Sequence, residues 1–202
     1  LKTILGELSS ILLTGQNVKP TAFLNAGFKF QYTKLSQALE NILEDPPLMK
    51  SFTVYQWVPK KKEEIFDFFS HEKNLEKITP PSLNFNIENK STDEIQDGTI
   101  INYKLKLHGI PMKWKSHIRE FKVNDRFIDE QLKGPYKKWI HLHTFTDYKG
   151  GTLIKDYVRY QLPMGHLGYL FAKSYVKRDL KKIFNYRKEI IKSLFFPTMG
   201  GD

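Results

Sequence analysis

The 202-residue chain contains no cysteine, which excludes disulfides, thiolate metal sites and cysteine nucleophiles. It has no apolar run near the roughly 18 residues of a membrane span and no signal-peptide pattern at its start. No GxxGxxG opens a strand–helix unit, so we expect no NAD(P) binding. These absences favour a cytoplasmic chain that holds neither a cofactor nor a metal.

Positive charge dominates, because 32 Lys and Arg residues oppose 22 Asp and Glu residues and give a net charge of +10. The basic residues cluster at Lys60–Lys62 and along the predicted C-terminal helix. The helix members are Lys177, Arg178, Lys181, Lys182, Arg187 and Lys188. We interpret both clusters as solvated faces, with an anionic membrane or nucleic-acid surface as the alternative. No RNP-type motif or zinc-finger spacing accompanies them, which disfavours nucleic acid.

The order of predicted strands and helices in residues 49–202 is typical of an antiparallel α+β domain. SFTVYQWV is a predicted strand, and two short helices follow in KKKEEIFDFFS and NLEKITPP. Six further runs read as strands joined by short turns: 84–91, 99–108, 112–123, 126–133, 137–148 and 152–162. From Gly165 onward, apolar residues at helical spacing predict one long amphipathic helix.

Residues 1–48 have a different pattern. LKTILGELSSILL and KLSQALENIL have helical spacing, PTAFLNAG is a short helix that stops at Gly27, and FKFQY alternates like a strand. EDPP, at residues 44–47, is the best linker in the chain, since two prolines bias it away from helix. We therefore predict two parts, 1–48 and 49–202, and the helical start at Leu1 suggests a piece of a longer protein.

The second part resembles a known fold family over about residues 50–195. ITPPSLNF, GTIINYKLKLHGIPMKWKSHI, RFIDEQLKGPYKKWIHLHTF, GTLIKDYVRYQLPMGHLG and RDLKKIFNYR are similar to segments of bacterial SRPBCC (START-like) proteins of the polyketide-cyclase-like kind. The resemblance implies a helix-grip fold, in which a seven-stranded antiparallel sheet wraps a long C-terminal helix and leaves a cavity. Some members of this subfamily carry a cell division inhibitor label, which implies a regulatory role.

The first part has its own resemblance. LLTGQNVKPTAFLNAGFKFQYTKLSQALENIL is similar to the C-terminal tail of sugar-nucleotide-epimerase-like proteins of the extended short-chain dehydrogenase class. Such epimerases are sometimes fused to an SRPBCC domain. The resemblance implies that an epimerase domain, absent from this chain, is an intramolecular partner. The single Tyr-xxx-Lys pair, Tyr169 and Lys173, has no dinucleotide-binding context and is not expected to act in dehydrogenation.

Strand alternation selects the residues that face the cavity, because successive side chains point to opposite faces of a sheet. Faces that carry aromatic residues and few full charges are placed inward, whereas Lys155, Arg159, Ile128 and Ile140 fall on outward faces. The expected ligand-binding residues are Tyr103, Leu105, Trp114, Gln131, Trp139, His141, His143 and Tyr160, with Phe171 from the helix. Asp129 and Asp156 share the inward face, and Gly134-Pro135-Tyr136 is a hairpin turn or a flap over the cavity.

The polar members of this set have several interpretations. Directly opposed side chains on antiparallel strands lie about 5 Å apart, so the histidines and aspartates could satisfy one another as a structural network. They could instead anchor a ligand, or His141 or His143 could form an acid–base pair with Asp129 or Asp156. Two histidines at i and i+2 with an aspartate could also bind zinc, although the spacing does not require it.

Three functions follow from these interpretations. The favoured one is binding of an apolar or aromatic small molecule in a cavity of a few hundred Å³. The second is a cyclase- or dehydratase-like enzyme that uses the His/Asp pair in the same cavity. The third is a protein-interaction or regulatory domain that docks on the epimerase partner.

Overall fold

A computed structural model describes residues 19–30, 32–37 and 48–196. Contacts divide the chain into two compact units, Leu1–Asp45 and Pro46–Asp202, and each is described by itself. The predicted helix of residues 1–13, most of KLSQALENIL and most of the EDPP linker lie outside the described residues.

The described part of the first unit contains a short helix, α1 (Thr21–Asn25), and residues 35–37 are also helical, as predicted for KLSQALENIL. As predicted, Gly27 follows the helix with a positive φ of 78°, which glycine adopts without strain. The predicted strand FKFQY is wrong over residues 28–30, which have no regular structure. The Phe28 amide donates to the Phe23 carbonyl at 2.9 Å, so the chain caps the helix there instead of joining a sheet.

The second unit has the predicted order of elements. Its strands are β1 (Lys50–Val58), β2 (Asn86–Lys90), β3 (Ile100–Leu107), β4 (Ile110–Lys122), β5 (Arg126–Lys133), β6 (Lys138–Tyr148) and β7 (Gly151–Gln161). Its helices are α2 (Lys62–Ser70), α3 (Glu72–Lys77) and α4 (Gly165–Phe195), with a 3₁₀ turn at Pro81–Leu83. Each strand end lies within about two residues of its prediction, since turn residues mark the ends in the sequence.

The seven strands form one antiparallel sheet in the order β1-β7-β6-β5-β4-β3-β2. This arrangement, with its long C-terminal helix, confirms the predicted α+β helix-grip class. The helix α4 has 31 residues, about 46 Å at 1.5 Å per residue, which is long enough to cross the sheet. Its buried residues Leu180, Phe184 and Ile191 recur at helical spacing and pack against the sheet.

Two apolar clusters hold the helix against the sheet. One is built around Phe66, Phe127 and Phe145, whose rings meet at centroid distances of 5.3 to 6.2 Å. The other contains Trp139 and Phe184, so it packs α4 on β6 and β7. The site lies among residues of these clusters.

Ile128 and Ile140 are buried, at 8% and 7% exposed, although they lie on outward faces of the sheet. Ile128 pairs with Arg119 across the sheet, and Ile140 pairs with Arg159. Long basic side chains can cover apolar neighbours with their aliphatic stems, so an outward position is not always an exposed one.

Within residues 19–30, 32–37 and 48–196, no helix is both long enough and apolar enough to cross a membrane.

Candidate functional site

An apolar cavity lies between α4 and the concave face of the sheet. Its volume is about 140 Å³, less than the few hundred Å³ that the sequence suggests. The strands contribute Tyr103, Leu105, Trp114, Asp129, Trp139 and His141, and α4 contributes Leu180, Ile183, Phe184 and Arg187. The cavity is smaller than expected because large aromatic rings occupy part of the space. Trp114 stands edge-on to Trp139, with ring centroids 5.4 Å apart.

A second cavity of about 60 Å³ lies next to the first. Phe68, Phe127 and His143 line it. Both cavities are lined by Leu75, Tyr103, Asp129, His141 and Arg187. Polar groups therefore mark the boundary between the two spaces.

His141, His143 and Asp156 meet on the concave face, as strand register requires. His143 is directly opposite Asp156, and His141 is two residues earlier on β6. His141 Nε2 donates to Asp156 Oδ1 at 2.9 Å. His143 Nδ1 lies 2.8 Å from the same oxygen, but it is not aligned for a hydrogen bond. The three side chains are buried, so this cluster is shielded from bulk water.

Burial and mutual contact shift the protonation of this cluster. Burial and the nearby His143 lower the pKa of His141 to about 3, although its hydrogen bond to Asp156 acts in the other direction. Burial acts to raise the pKa of Asp156, but its contacts with His141 and His143 hold that pKa well below the ordinary value. Near neutral pH the cluster therefore contains a carboxylate and an uncharged His141 ring.

Asp129 belongs to a separate set of hydrogen bonds. Its Oδ1 accepts from Ser116 Oγ at 2.5 Å, and its Oδ2 accepts from the Tyr103 hydroxyl at 3.5 Å. Ser116 Oγ in turn accepts from Trp114 Nε1 at 3.1 Å. Burial raises the pKa of Asp129 above its ordinary value, while the hydrogen bond from Ser116 acts against that rise.

Arg187 is the buried cation of the site and corrects a prediction. We predicted a solvated position in the basic cluster of α4, yet the residue is only 8% exposed. Its Nη1 lies 3.8 Å from Asp156 Oδ1, and its guanidinium lies 5.1 Å from the ring centroid of Phe184. Burial lowers its pKa, and the two nearby aspartates act against that change. Arginine nevertheless keeps its charge in proteins.

His141, His143 and Asp156 also form a set of donors of the kind that binds metals. Their ligating atoms all lie within 4.8 Å of one another, and imidazole and carboxylate suit zinc or iron. The Arg187 cation lies 3.8 Å from the carboxylate oxygen that both imidazoles approach. Its charge repels a divalent ion, so the cluster fits an ion pair better than a metal centre.

The remaining predicted ligand-binding residues lie in different places. Tyr103, Leu105, Trp114 and Trp139 line the larger cavity. Tyr160 is buried beside Trp139, with ring centroids 6.4 Å apart, but it is not among the cavity-lining residues. The side chain of Phe171 lies outside the described part of the chain.

Gln131 is engaged elsewhere. Its Nε2 donates to the Tyr136 carbonyl at 2.7 Å, and its Oε1 accepts from the Tyr136 amide at 3.3 Å. The side chain of Gln131 thus stabilises the hairpin between β5 and β6 instead of lining the cavity. This bracing places Pro135 and Tyr136 of the hairpin in the cavity wall.

Arg187 is the candidate site residue that the sequence analysis missed. A signal was present, because Arg187 follows Phe184 by three positions and Leu180 by seven, on the apolar face of α4. This spacing relative to buried residues is the signal that could have placed Arg187 inward.

Comparisons with known proteins agree with this architecture. The family model described as a domain of unknown function, DUF1731, matches residues 1–42. No curated protein matches the chain. A protein from Chromobacterium violaceum superposes with a TM-score of 0.58 at 10% identity, over 74% of this chain and 99% of that one. The major latex-like protein of Panax ginseng gives a TM-score of 0.56 at 14% identity, with the same two coverages.

An epimerase also contains the fold. The nucleoside-diphosphate sugar epimerase of Corynebacterium glutamicum superposes with a TM-score of 0.52 at 25% identity. The match covers 69% of this chain but only 28% of the epimerase. A domain similar to the second unit therefore occurs as a minor part of a larger epimerase chain.

Proposed function

We propose that residues 49–202 bind an apolar or aromatic small molecule in the cavity between the sheet and α4. The observation that carries the proposal is the composition of that cavity: aromatic and aliphatic walls with a few polar groups, His141, Asp129 and Arg187, at one end. Small-molecule sites have this character, since apolar walls supply affinity and sparse polar groups fix orientation. Tyr103, Leu105, Trp114 and Trp139 would contact the ligand body.

The volume indicates the size of the ligand. A cavity of about 150 Å³ in another protein holds benzene, so about 140 Å³ suits a single aromatic ring or a short alkyl chain. A longer ligand would extend into the neighbouring space or displace the Pro135–Tyr136 hairpin. With a ligand that fits the cavity, Gln131 would hold the hairpin in place through its bonds to Tyr136 rather than touch the ligand.

A filled cavity tests this proposal. Leu105→Trp adds bulk to the cavity wall, whereas Leu132→Trp adds the same bulk at an exposed position on β5, 53% exposed. We expect saturation-transfer NMR to detect binding of 3-phenylpropan-1-ol to the wild type and to Leu132→Trp, and to lose it in Leu105→Trp. Equal signals in both variants would place the ligand elsewhere and contradict the proposal.

An acid–base enzyme is the second candidate, because His141 reaches both cavities. A cyclase- or dehydratase-like reaction would use this imidazole beside Asp156 or Asp129. The low pKa of His141, about 3, makes it a weak base at neutral pH, which is why binding is preferred. Under the enzyme hypothesis, substrate turnover by the wild type would be lost in His141→Gln, while ligand affinity would remain.

We also propose that this chain belongs to a larger protein with an epimerase domain. Two findings support it: the family match at residues 1–42 and the occurrence of a similar domain within the Corynebacterium epimerase. The reading frame upstream of Leu1 tests it. We expect that frame to encode a GxxGxxG between a strand and a helix; a stop codon directly upstream would contradict the proposal.

A further inference from the structure

The guanidinium of Arg187 has buried donors without an acceptor in the described part of the chain. Its Nε and Nη1 are buried and have no hydrogen-bond partner among the described residues. Asp156 Oδ1, at 3.8 Å from Nη1, is close enough to balance charge but too far for a direct hydrogen bond. A buried N–H group without an acceptor is costly, so such a group usually has a partner that the protein itself does not supply.

The position of Arg187 restricts where that partner can come from. Arg187 lines both cavities, and it is held on α4 beside the ring of Phe184. The acceptor therefore belongs to a molecule in the cavity, which is either water or a bound ligand. Since the remaining wall of the larger cavity is mainly apolar, a ligand that replaces this water would combine an acceptor group with an apolar body.

The number of unpaired donors indicates which acceptor group the ligand carries. Two nitrogen positions of Arg187 lack partners, and a carboxylate offers two oxygens with about four lone pairs. A hydroxyl offers one oxygen and no negative charge, so it gains less from the charged guanidinium than a carboxylate does. Asp129 faces the same space but is already bound by Ser116 and Tyr103, so it leaves the guanidinium free.

We infer that the ligand is a small apolar carboxylic acid, whose carboxylate accepts hydrogen bonds from Arg187 while its ring or chain fills the cavity under α4. This inference rests on the proposed binding function and names the ligand class. Asp156 neutralises Arg187 before the ligand arrives, and the hydrogen bond from His141 holds that carboxylate in place.

A matched pair of probes tests the inference: 3-phenylpropanoate and 3-phenylpropan-1-ol have the same body and differ in the head. Trp114 and Trp139 line the cavity, so binding is followed by tryptophan fluorescence excited beyond the absorption of the probes. Arg187→Met removes the cation, and Arg178→Met removes an exposed arginine from the same helix as a control.

We expect the wild type and Arg178→Met to bind the acid about tenfold or more tightly than the alcohol, as a charge-assisted hydrogen bond allows. In Arg187→Met the ratio should fall to about one, with the affinity for the alcohol little changed. Because Arg187→Met leaves Asp156 without its cation, the double variant Arg187→Met with Asp156→Asn repeats the measurement on a balanced site.

The outcomes separate the two proposals. If neither probe binds the wild type, the proposed binding function fails and the inference fails with it. If the wild type binds both probes equally, the binding function stands and the carboxylate inference is overturned. An acid preference that survives unchanged in Arg187→Met or in the double variant would assign it to another group and also overturn the inference.

Discussion

The pH dependence of stability should reveal the buried His141. Its pKa is about 3 in the folded chain, against about 6.5 in an unfolded one. Between these values the unfolded state binds a proton that the folded state does not, so protonation favours unfolding and stability falls as pH falls. Stability from this residue is therefore complete above about pH 6.5 and is lost progressively toward about pH 3.

The expected size follows from linkage. Each pH unit within the window changes the free energy of unfolding by about 1.4 kcal/mol per proton. Lowering the pH from about 7 to about 4.5 should thus cost about 2.5 kcal/mol through His141 alone. Asp156, with its lowered pKa, loses its contribution only at more acidic pH. Asp129, whose pKa is raised, changes stability in the opposite sense, so a single pH profile does not isolate His141.

A comparison of two proteins isolates it. His141→Gln keeps an N–H donor near Asp156 but cannot titrate, and the other titrating groups remain in both proteins. Urea unfolding followed by circular dichroism at several pH values gives both free energies. Between about pH 7 and pH 4.5, we expect the wild type to lose about 2.5 kcal/mol of unfolding free energy relative to His141→Gln. Parallel profiles would refute the claim that His141 is buried in the neutral form.

Three further substitutions test other parts of the structure. Ser116→Ala removes a fully buried donor to Asp129 and should cost about 1–3 kcal/mol in urea unfolding at neutral pH; an unchanged midpoint would dismiss that hydrogen bond. Phe145→Ala empties a position that is 2% exposed and should cost about 3–5 kcal/mol by thermal unfolding; a loss near zero would contradict the packing described. Gly109→Ala meets no atom but must adopt a φ of 82°, so calorimetry should show a loss of about 1 kcal/mol.

Much of the fold was predictable because its signals are local. Strand alternation has a period of two and turn residues mark the strand ends, so β5 begins and ends at the predicted residues. The meeting of His143 with Asp156 also followed from alternation and antiparallel pairing. The strand FKFQY failed because alternation alone does not supply a pairing partner.

Parts of the candidate site depend on geometry that a sequence pattern does not encode. Alternation places Gln131 on the concave side, but its flexible side chain turns to the Tyr136 backbone. The faces of the strands were predictable, whereas the volume of the cavity depends on the edge-on contact between Trp114 and Trp139. Arg187 was missed for a different reason: it was grouped with its basic sequence neighbours instead of with the apolar face of α4.

The state of His141 favours binding over catalysis at this site. A general base needs a pKa near the working pH and a free lone pair directed at the substrate. Here the pKa of the imidazole is about 3, so the ring is a weak base near neutral pH even though donation from Nε2 to Asp156 leaves the lone pair of Nδ1 free. The same arrangement does suit an anchor, because it holds Asp156 ionised within 3.8 Å of Arg187. Because Asp156 balances its charge, Arg187 is not an isolated charge in the empty cavity, and its unused donors can still bind an acid. This pairing accounts for the polar residues on an otherwise apolar face.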